Sequence, residues 1–301
     1  MPYANSNGVK LYYEEAGRGT AIVFVHEFSG DFRSWEAQMR HFSRRYRCVA
    51  FNARGYPPSE VPASPSKYSH TIAADDIRAV MRHIGAAKAH IVGCSMGAYA
   101  TIMFGMRYPR NALSLTTVGA GAGGVLDPGR RAQFLKDTEA NARRFEEEGL
   151  EGVAKRYRKA PNRIQLENKD PRGFREFFER FAEHSALGHA NTLRGVQLRR
   201  PPLYTMEKQF APQGAAQCLR GRRGRERAEP QPFHQAGLPG RTAERGARYG
   251  PPGERRRTGL LQPHGGRFPD AGGLRAVEVA GSALAEEIDG ASPALAIPSG
   301  S

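Results

Sequence analysis

The chain has 301 residues, with 45 Lys and Arg against 30 Asp and Glu, so its formal net charge is +15. This length suits one large α/β domain or two small ones and excludes a mini-protein that depends on disulfides or metals. No stretch approaches about 18 consecutive apolar residues, and the first residues lack the basic and apolar pattern of a signal peptide. We therefore expect a cytoplasmic protein with no membrane partner. The three scattered cysteines exclude a disulfide framework or a cysteine zinc site and predict buried, reduced thiols.

Strand-like segments recur in the first part of the chain. Val9 to Glu15 alternates apolar and polar side chains, which predicts a half-buried antiparallel strand. Later segments are short and mostly apolar, and the first two of them are typical of strands covered on both faces. These segments are Ala21–Val25, Cys48–Phe51, Ala89–Val92 and Ala112–Val118.

Segments with helical spacing of apolar residues separate these strands. They are Ser34–Phe42, Ile72–Ile84 and Ala98–Arg107. Strands that alternate with helices predict an α/β fold with a mostly parallel, doubly wound sheet. Pro128 to Phe181 is highly charged and helical, and we expect it to form a lid on the sheet.

The last third of the chain has a different composition. No Val or Ile occurs from Gln197 to Ala276, so a sheet can hardly continue there. Between Ala211 and Gly273 there are 12 arginines, no lysine and 5 acidic residues, with 13 glycines and 8 prolines. Such a segment buries too little apolar area to offset its ordering entropy, so we expect disorder. The sequence thus predicts a core at 1–125, a helical lid at 126–205 and an aberrant segment at 206–301.

The arginine runs of this last segment also suit a basic tail that neutralises the phosphates of a nucleic acid. Such a tail normally uses lysine as well and interleaves aromatic residues. The segment has only three aromatic residues, Phe233, Tyr249 and Phe268. Nucleic acid is therefore not the partner that we expect.

The most specific motif is Gly93-Cys94-Ser95-Met96-Gly97, a G-x-S-x-G sequence between a predicted strand and a predicted helix. In this context the motif predicts a nucleophile elbow, a sharp turn that exposes the serine hydroxyl at the top of the sheet. Small residues are needed at both ends, and Gly93 and Gly97 meet that need. The alternative is a glycine-rich helix entry without chemistry.

Two further segments belong with this motif. They are Val23-Phe24-Val25-His26-Glu27-Phe28 after an early strand and Asn52-Ala53-Arg54-Gly55-Tyr56-Pro57-Pro58-Ser59 after the next. With them, the chain from residue 8 to about 125 resembles an α/β-hydrolase of the serine type, and the resemblance extends through the lid to about residue 210. It implies that Ser95 is the catalytic nucleophile and that the amides of Phe28 and Met96 form the oxyanion hole.

The same resemblance implies that His26 holds the oxyanion loop and is not the catalytic base. Glu27 departs from the common pattern, which has Gly after this histidine. A glutamate allows fewer backbone conformations than glycine and places a carboxylate near the site.

A serine at the elbow also bears on the reaction. Members of the resembled family that open epoxides or remove halides use Asp at this point, so we do not expect those activities. What remains is acyl transfer to water from an ester, lactone, thioester or related small-molecule substrate, through an acyl-enzyme on Ser95. This chemistry needs no metal and no organic cofactor.

A serine nucleophile needs a histidine to take its proton and an acid to orient that histidine. The candidates after Ser95 are His184 and His189, in the predicted lid, and His234 and His264, in a segment with nothing to position them. For the two lid histidines, solvation or lid packing is the simpler interpretation.

Asp127 follows a predicted strand and suits either the acid of a triad or a helix cap before Pro128. The chain as written therefore lacks a recognisable acid and base. We expect a hydrolase with impaired activity, or alternatively a non-catalytic protein that binds a small acyl ligand.

A shifted reading frame would explain the last third of the chain. Read one nucleotide on with free codon choice, Gln231–Gln235 is compatible with S-L-F-I-K, Cys218–Arg225 with V-x-V-G-D-E-D-E, and Tyr249–Pro269 with a run that begins T-G-H. The resembled family carries a strand with its acid, a histidine loop and a closing helix in this order. On this hypothesis the codon of the acid overlaps Gly224, and that of the histidine straddles Pro251 and Pro252.

Gly119-Ala120-Gly121-Ala122-Gly123-Gly124 matches the G-x-G-x-x-G pattern of a dinucleotide site. No helix opens directly after it, and no early strand-helix-strand unit begins the chain. We therefore expect a loop at the end of a strand and no cofactor.

Overall fold

The computed structural model describes residues 2–120, 127–206 and 217–219. In these ranges seven strands form one sheet, in the order β1-β2-β4-β3-β5-β6-β7. The strands are β1 (Tyr3–Ser6), β2 (Val9–Ala16), β3 (Ala21–Val25), β4 (Arg47–Phe51), β5 (Ala89–Cys94), β6 (Ala112–Val118) and β7 (Gln217–Leu219). β2 is antiparallel to both β1 and β4, and all other pairs are parallel. The predicted α/β class with a mostly parallel sheet is confirmed.

Helices follow the strands. They are α1 (Glu36–Phe42), α2 (His70–His83), α3 (Met96–Arg107), α4 (Pro128–Tyr157), α5 (Pro161–Lys169), α6 (Pro171–Ala182) and α7 (Ala186–Thr192). A 3-10 turn, Phe32–Trp35, leads into α1, and a π-helical turn, Leu193–Gln197, continues α7. α3 begins two residues before the predicted start, because Gly97 lies within its first turn instead of before it.

The sheet is covered on both faces, as the continuous apolar strands predict. Ile22 and Phe24 of β3 pack with Trp35 in one buried cluster. Val23 and Val25, which point the other way, pack in a second cluster with residues of α2 and α3. The carboxyl ends of β3, β4 and β5 therefore open onto loops at one edge of a well-packed core.

Helices α4 to α7 form a segment that packs around Phe145, Phe181 and Leu193. Asp127 caps α4 by accepting a hydrogen bond from the amide of Arg130 at 2.8 Å. The cap interpretation of Asp127 thus fits the structure, since its carboxylate is engaged at the helix start. We call residues 127–197 the helical segment below.

The helical segment attaches to the loops that follow β3 and β4. The hydroxyls of Ser29 and Tyr157 lie 3.0 Å apart, and the side-chain amide of Asn191 donates to the carbonyl of Ala63 at 3.1 Å. The carbonyl of Gly55 lies so close to Gly188 that a Cβ there would overlap it. The segment therefore sits over the carboxyl edge of the sheet.

The structure corrects the sequence reading in two places. The sheet does continue after Gln197, because β7 pairs in parallel with β6; the free edge of β6 offers backbone hydrogen bonds that need no Val or Ile. β1 was not predicted, since it is only four residues long; α7 and the π-helical turn lie within the range predicted as a helical lid. Residues 121–126, 207–216 and 220–301 lie outside the described ranges. Several predictions fall on them, namely those for His234, His264, Gly121 to Gly124 and most of the shifted-frame segments.

No helix in the described ranges combines the length and the apolar character needed to cross a bilayer. In that same part of the chain, no three side chains of His, Cys, Asp or Glu come together as metal ligands.

Candidate active site

The turn from Gly93 to Gly97 is defined by close backbone packing. A Cβ at Gly93 would overlap the carbonyl of Gly97, and a Cβ at Gly97 would overlap the carbonyl of Val25 and lie 2.7 Å from that of His26. Two strand ends and a helix start therefore meet with no room for a side chain. This contact is the physical reason for the glycine spacing.

Ser95 occupies the middle of this turn in a strained conformation. Its φ of 49° and ψ of −110° lie in a region that non-glycine residues rarely adopt and that costs about 1–3 kcal/mol. Two backbone bonds hold it: its amide donates to the carbonyl of Val118 at 2.9 Å, and its carbonyl accepts from the amide of Tyr99 at 3.1 Å. Ser95 is half-buried and directly precedes α3.

Phe28 and Met96, the residues expected to form the oxyanion hole, are linked through Tyr56. The Tyr56 hydroxyl donates to the carbonyl of Phe28 at 2.8 Å and lies 3.9 Å from the sulfur of Met96. Within the described residues no hydrogen bond uses the amide of Phe28 or that of Met96. The Met96 amide also belongs to the N-terminus of α3, where the helix dipole favours negative charge. In this part of the chain the two amides are thus donors without a partner.

His26 is wholly buried, and both of its ring nitrogens are engaged. Nδ1 donates to the carbonyl of Glu27 at 2.7 Å, and Nε2 accepts from the amide of Ala53 at 3.0 Å. Burial lowers the pKa of His26 to about 4, so the ring is neutral at pH 7. This geometry fits the structural role predicted for His26, because the ring ties the β3 loop to the β4 loop.

Glu27 is 4% exposed, although it is a carboxylic acid. Its Oε1 accepts from the hydroxyl of Ser34 at 3.2 Å, while Oε2 has no partner in the described part of the chain. Gly30 makes room for it, since a Cβ there would overlap Oε1. Burial raises the pKa of Glu27, and the charge of Arg163 opposes this.

His184 and His189 lie in a buried chain of polar contacts that begins in the β3 loop. His184 Nε2 lies 3.5 Å from Oδ2 of Asp31, and His184 Nδ1 lies 3.0 Å from His189 Nε2. Burial acts to raise the pKa of Asp31, but hydrogen bonds from His184 and Arg33 hold it well below its usual range. Burial lowers the pKa of His189 well below its usual value.

Neither of these histidines reaches the serine. Among residues 2–120 and 127–206, no hydrogen bond joins the hydroxyl of Ser95 to an imidazole. Instead, the ring of His189 stacks on Phe145 and meets the ring of Phe28 edge-on, with centroids 4.8 and 4.7 Å away. For His184 and His189 the sequence left solvation and lid packing as the simpler roles. Both side chains are buried, which fits packing and does not fit solvation.

The cysteines of the described core are buried thiols. Burial raises the pKa of Cys48 to about 12 and that of Cys94 well above its ordinary value. A protonated, buried thiol is a poor nucleophile, so Cys94 does not compete with its neighbour Ser95.

A family model described as alpha/beta hydrolase fold matches residues 20–208. The chain belongs to this family. The match begins just before β3 and extends beyond the helical segment, so it includes the turn at Ser95 and the loops that surround it. The resemblance read from the sequence is therefore confirmed at the level of family and fold.

Individual relatives in the α/β-hydrolase family cover the chain in part. Epoxide hydrolase 3 of Mus musculus is 32% identical over 111 residues, which are 36% of this chain and 30% of that protein. The chain thus spans less than a third of the length of this relative.

Solved structures with the same fold match more of the chain. The match to an esterase from Thermogutta terrifontis covers 72% of this chain and 77% of the esterase chain, with a TM-score of 0.60 and 20% identity. The match to an enol-lactonase from Burkholderia xenovorans covers 65% of this chain and 73% of the lactonase chain, with a TM-score of 0.54 and 21% identity. At this level of identity the likeness concerns the fold alone.

The contact that Tyr56 makes in this candidate site was not predicted from the sequence. Tyr56 stands in the Asn52–Ser59 segment that carries the resemblance, yet nothing in that segment shows that its hydroxyl reaches Phe28. A buried tyrosine normally finds a hydrogen-bond partner, which is the signal that could have pointed to such a contact.

Proposed function

We propose that the chain is a serine-type hydrolase that acts on a small acyl substrate through an acyl-enzyme on Ser95. The observation that carries this proposal is the strained Ser95 at the start of α3. It is followed by Met96, whose amide, like that of Phe28, has no hydrogen-bond partner among the described residues. Such amides stabilise the negative oxygen of a tetrahedral intermediate. His26, Gly93 and Gly97 support the loop and the turn.

The serine also favours one reaction class over another. The relative from Mus musculus is named an epoxide hydrolase, whereas two of the structural neighbours are named an esterase and an enol-lactonase. Attack of a serine on an epoxide would leave an alkyl ether, which water does not cleave, so the enzyme would turn over once. Attack on an ester, lactone or thioester leaves an acyl-enzyme that water can hydrolyse.

We further propose that turnover is slow. No imidazole paired with an acid reaches Ser95 in the described ranges, and loss of a triad base lowers the rate by several orders of magnitude. The same observation favours the second candidate, a non-catalytic protein that binds a small acyl ligand.

In either case we propose that residues 126–205 act as a lid, because the helical segment covers the carboxyl edge of the sheet.

Labelling with a fluorophosphonate probe tests the proposal, with peptide mass spectrometry to locate the label. We expect the label on Ser95, its loss in S95A, and its retention in the matched control S66A, in which an exposed serine is removed. Absence of label in folded protein would contradict the hydrolase and favour the non-catalytic candidate. Turnover of an epoxide, with no acyl hydrolysis, would overturn the reaction class.

A further inference from the structure

The loop that follows β3 is tied to the loop that follows β4 at two points. Nε2 of His26 accepts from the amide of Ala53 at 3.0 Å, and the hydroxyl of Tyr56 donates to the carbonyl of Phe28 at 2.8 Å. The first tie fits the supporting role expected for His26. The second tie lies directly at Phe28, the residue whose amide we expect in the oxyanion hole.

Hydrogen bonds hold the peptide groups on both sides of Phe28. Before it, the carbonyl of Glu27 accepts from Nδ1 of His26 at 2.7 Å and from the amide of Gly30 at 3.2 Å. After it, the carbonyl of Phe28 accepts from the hydroxyl of Tyr56. Peptide groups are planar, so only the two backbone dihedral angles of Phe28 relate these two planes. With both planes held, the direction of the Phe28 amide is fixed.

Tyr56 is itself held in place. Its side chain is wholly buried, and its ring meets the ring of His26 edge-on, with centroids 4.7 Å apart. Its amide donates to the carbonyl of Ala53 at 3.1 Å, and its carbonyl accepts from the amide of Ser59 at 3.0 Å. Burial raises the pKa of Tyr56 well above its ordinary value, so the hydroxyl keeps its proton across the neutral range. A donor held in this way orients its acceptor.

Tyr56 also contacts the residue after Ser95. Its hydroxyl lies 3.9 Å from the sulfur of Met96, which belongs to the same buried cluster, and Phe28 packs against that cluster. A phenol has one proton, which at these distances goes to the carbonyl of Phe28 and not to the sulfur. One side chain thus touches both residues whose amides have no partner in the described part of the chain.

We propose that Tyr56 is a positioning residue, whose hydroxyl orients the Phe28 peptide so that the amides of Phe28 and Met96 together receive the negative oxygen of the tetrahedral intermediate. The inference rests on the proposed hydrolase function. Tyr56 itself does not touch the reacting atoms and transfers no proton. A misdirected donor stabilises the transition state less and leaves ligand binding intact, so loss of this hydroxyl should lower the rate of acylation and not the affinity.

The concentration dependence of fluorophosphonate labelling at Ser95, measured on the full chain, separates the maximal labelling rate from the half-saturating concentration. Y56F keeps the ring and removes only the hydroxyl. Its maximal rate should fall about 10-fold or more, with half-saturation within about twofold of the wild-type concentration. Tyr56→p-aminophenylalanine keeps a weaker N–H donor at the same place, so it should label only about threefold more slowly than the wild type.

Y68F is the matched control. Tyr68 is also a buried tyrosine, 1% exposed, and its hydroxyl donates to the carbonyl of Pro62 at 2.9 Å and not to the β3 loop. Y68F and Y56F each remove one buried bond from a hydroxyl to a carbonyl, so urea unfolding should show similar losses of stability. Y68F should nevertheless label at the wild-type rate. A fall in the Y68F rate equal to that of Y56F would reflect lost stability alone and would overturn the positioning role.

Near-UV circular dichroism shows whether Y56F is folded. If it is, a maximal rate within about twofold of the wild type overturns the role of Tyr56 and leaves the hydrolase standing. If it is not, the p-aminophenylalanine variant decides, and labelling of that variant at the wild-type rate overturns the role. No labelling of the folded wild type overturns both the positioning role and the hydrolase.

Discussion

Two regions of the molecule hold their residues by different means. One is the turn at Ser95, and the other is the buried polar cluster that joins the β3 loop to the helical segment. The members of this cluster are Ser29, Asp31, Tyr157, Arg163, His184 and His189. The turn is fixed by backbone atoms packed against Gly93 and Gly97, which leave no space for a Cβ. The cluster is fixed by side chains far apart in sequence, such as Asp31 with His184, 153 positions away. A site fixed by backbone packing is sensitive to added volume and insensitive to pH. A site fixed by titratable side chains depends on pH as well.

The largest effect should come from adding one methyl group to the turn. In G97A the new Cβ would overlap the backbone of Val25 and His26, neither of which can move without shifting β3. We expect a loss of about 3 kcal/mol or more in the free energy of unfolding. Urea denaturation followed by circular dichroism measures it.

G129A is the matched control, since Gly129 lies in the exposed first turn of α4 and its Cβ would make only an ordinary contact with Asp127 at 3.5 Å. It should be neutral or slightly stabilising, because alanine favours helix. Equal losses in both variants would show that the turn is not specially constrained.

This contrast also explains how much could be read from the sequence. The turn is local, so its glycines, the strand before it and the helix after it appear within a few residues, and β3 and β6 were predicted to the residue. The cluster depends on pairs such as Ser29 with Tyr157, 128 positions apart, which no local pattern reveals. Of Glu27, the sequence predicted only a carboxylate near the site, because burial and hydrogen-bond partners are properties of the packed structure.

The second effect, of intermediate size, should come from the charge in the cluster. Asp31 has a folded pKa well below its usual range, so it stabilises the fold above its unfolded pKa of about 3.9. That stability is lost as the pH falls through the folded value. D31N should therefore lower the free energy of unfolding by about 2 kcal/mol at pH 7. Below pH 4 the free energies of unfolding of D31N and the wild type should become more similar. Urea unfolding at pH 7 and at pH 3 measures both.

E183Q is the matched control for D31N, because Glu183 pairs with Arg33, as Asp31 does, but its side chain is 61% exposed. Its effect should stay below about 1 kcal/mol, as for other exposed pairs. A D31N loss that is the same at both pH values would mean that packing, and not charge, anchors the cluster.

The smallest effect should be the coupling between one loop hydroxyl and one helix hydroxyl. Ser29 of the β3 loop and Tyr157 of α4 lie 3.0 Å apart, and Arg163 donates to both. In a double-mutant cycle, S29A and Y157F should couple by about 0.5–1.5 kcal/mol, because removing either hydroxyl removes the shared bond. The control cycle pairs S29A with Y108F, whose hydroxyl binds Asp75 and shares no partner with Ser29. If the first cycle is as additive as the second, the hydroxyl pair does not anchor the helical segment, and the link between loop and segment must rest on Asp31 and the aromatic packing around His189.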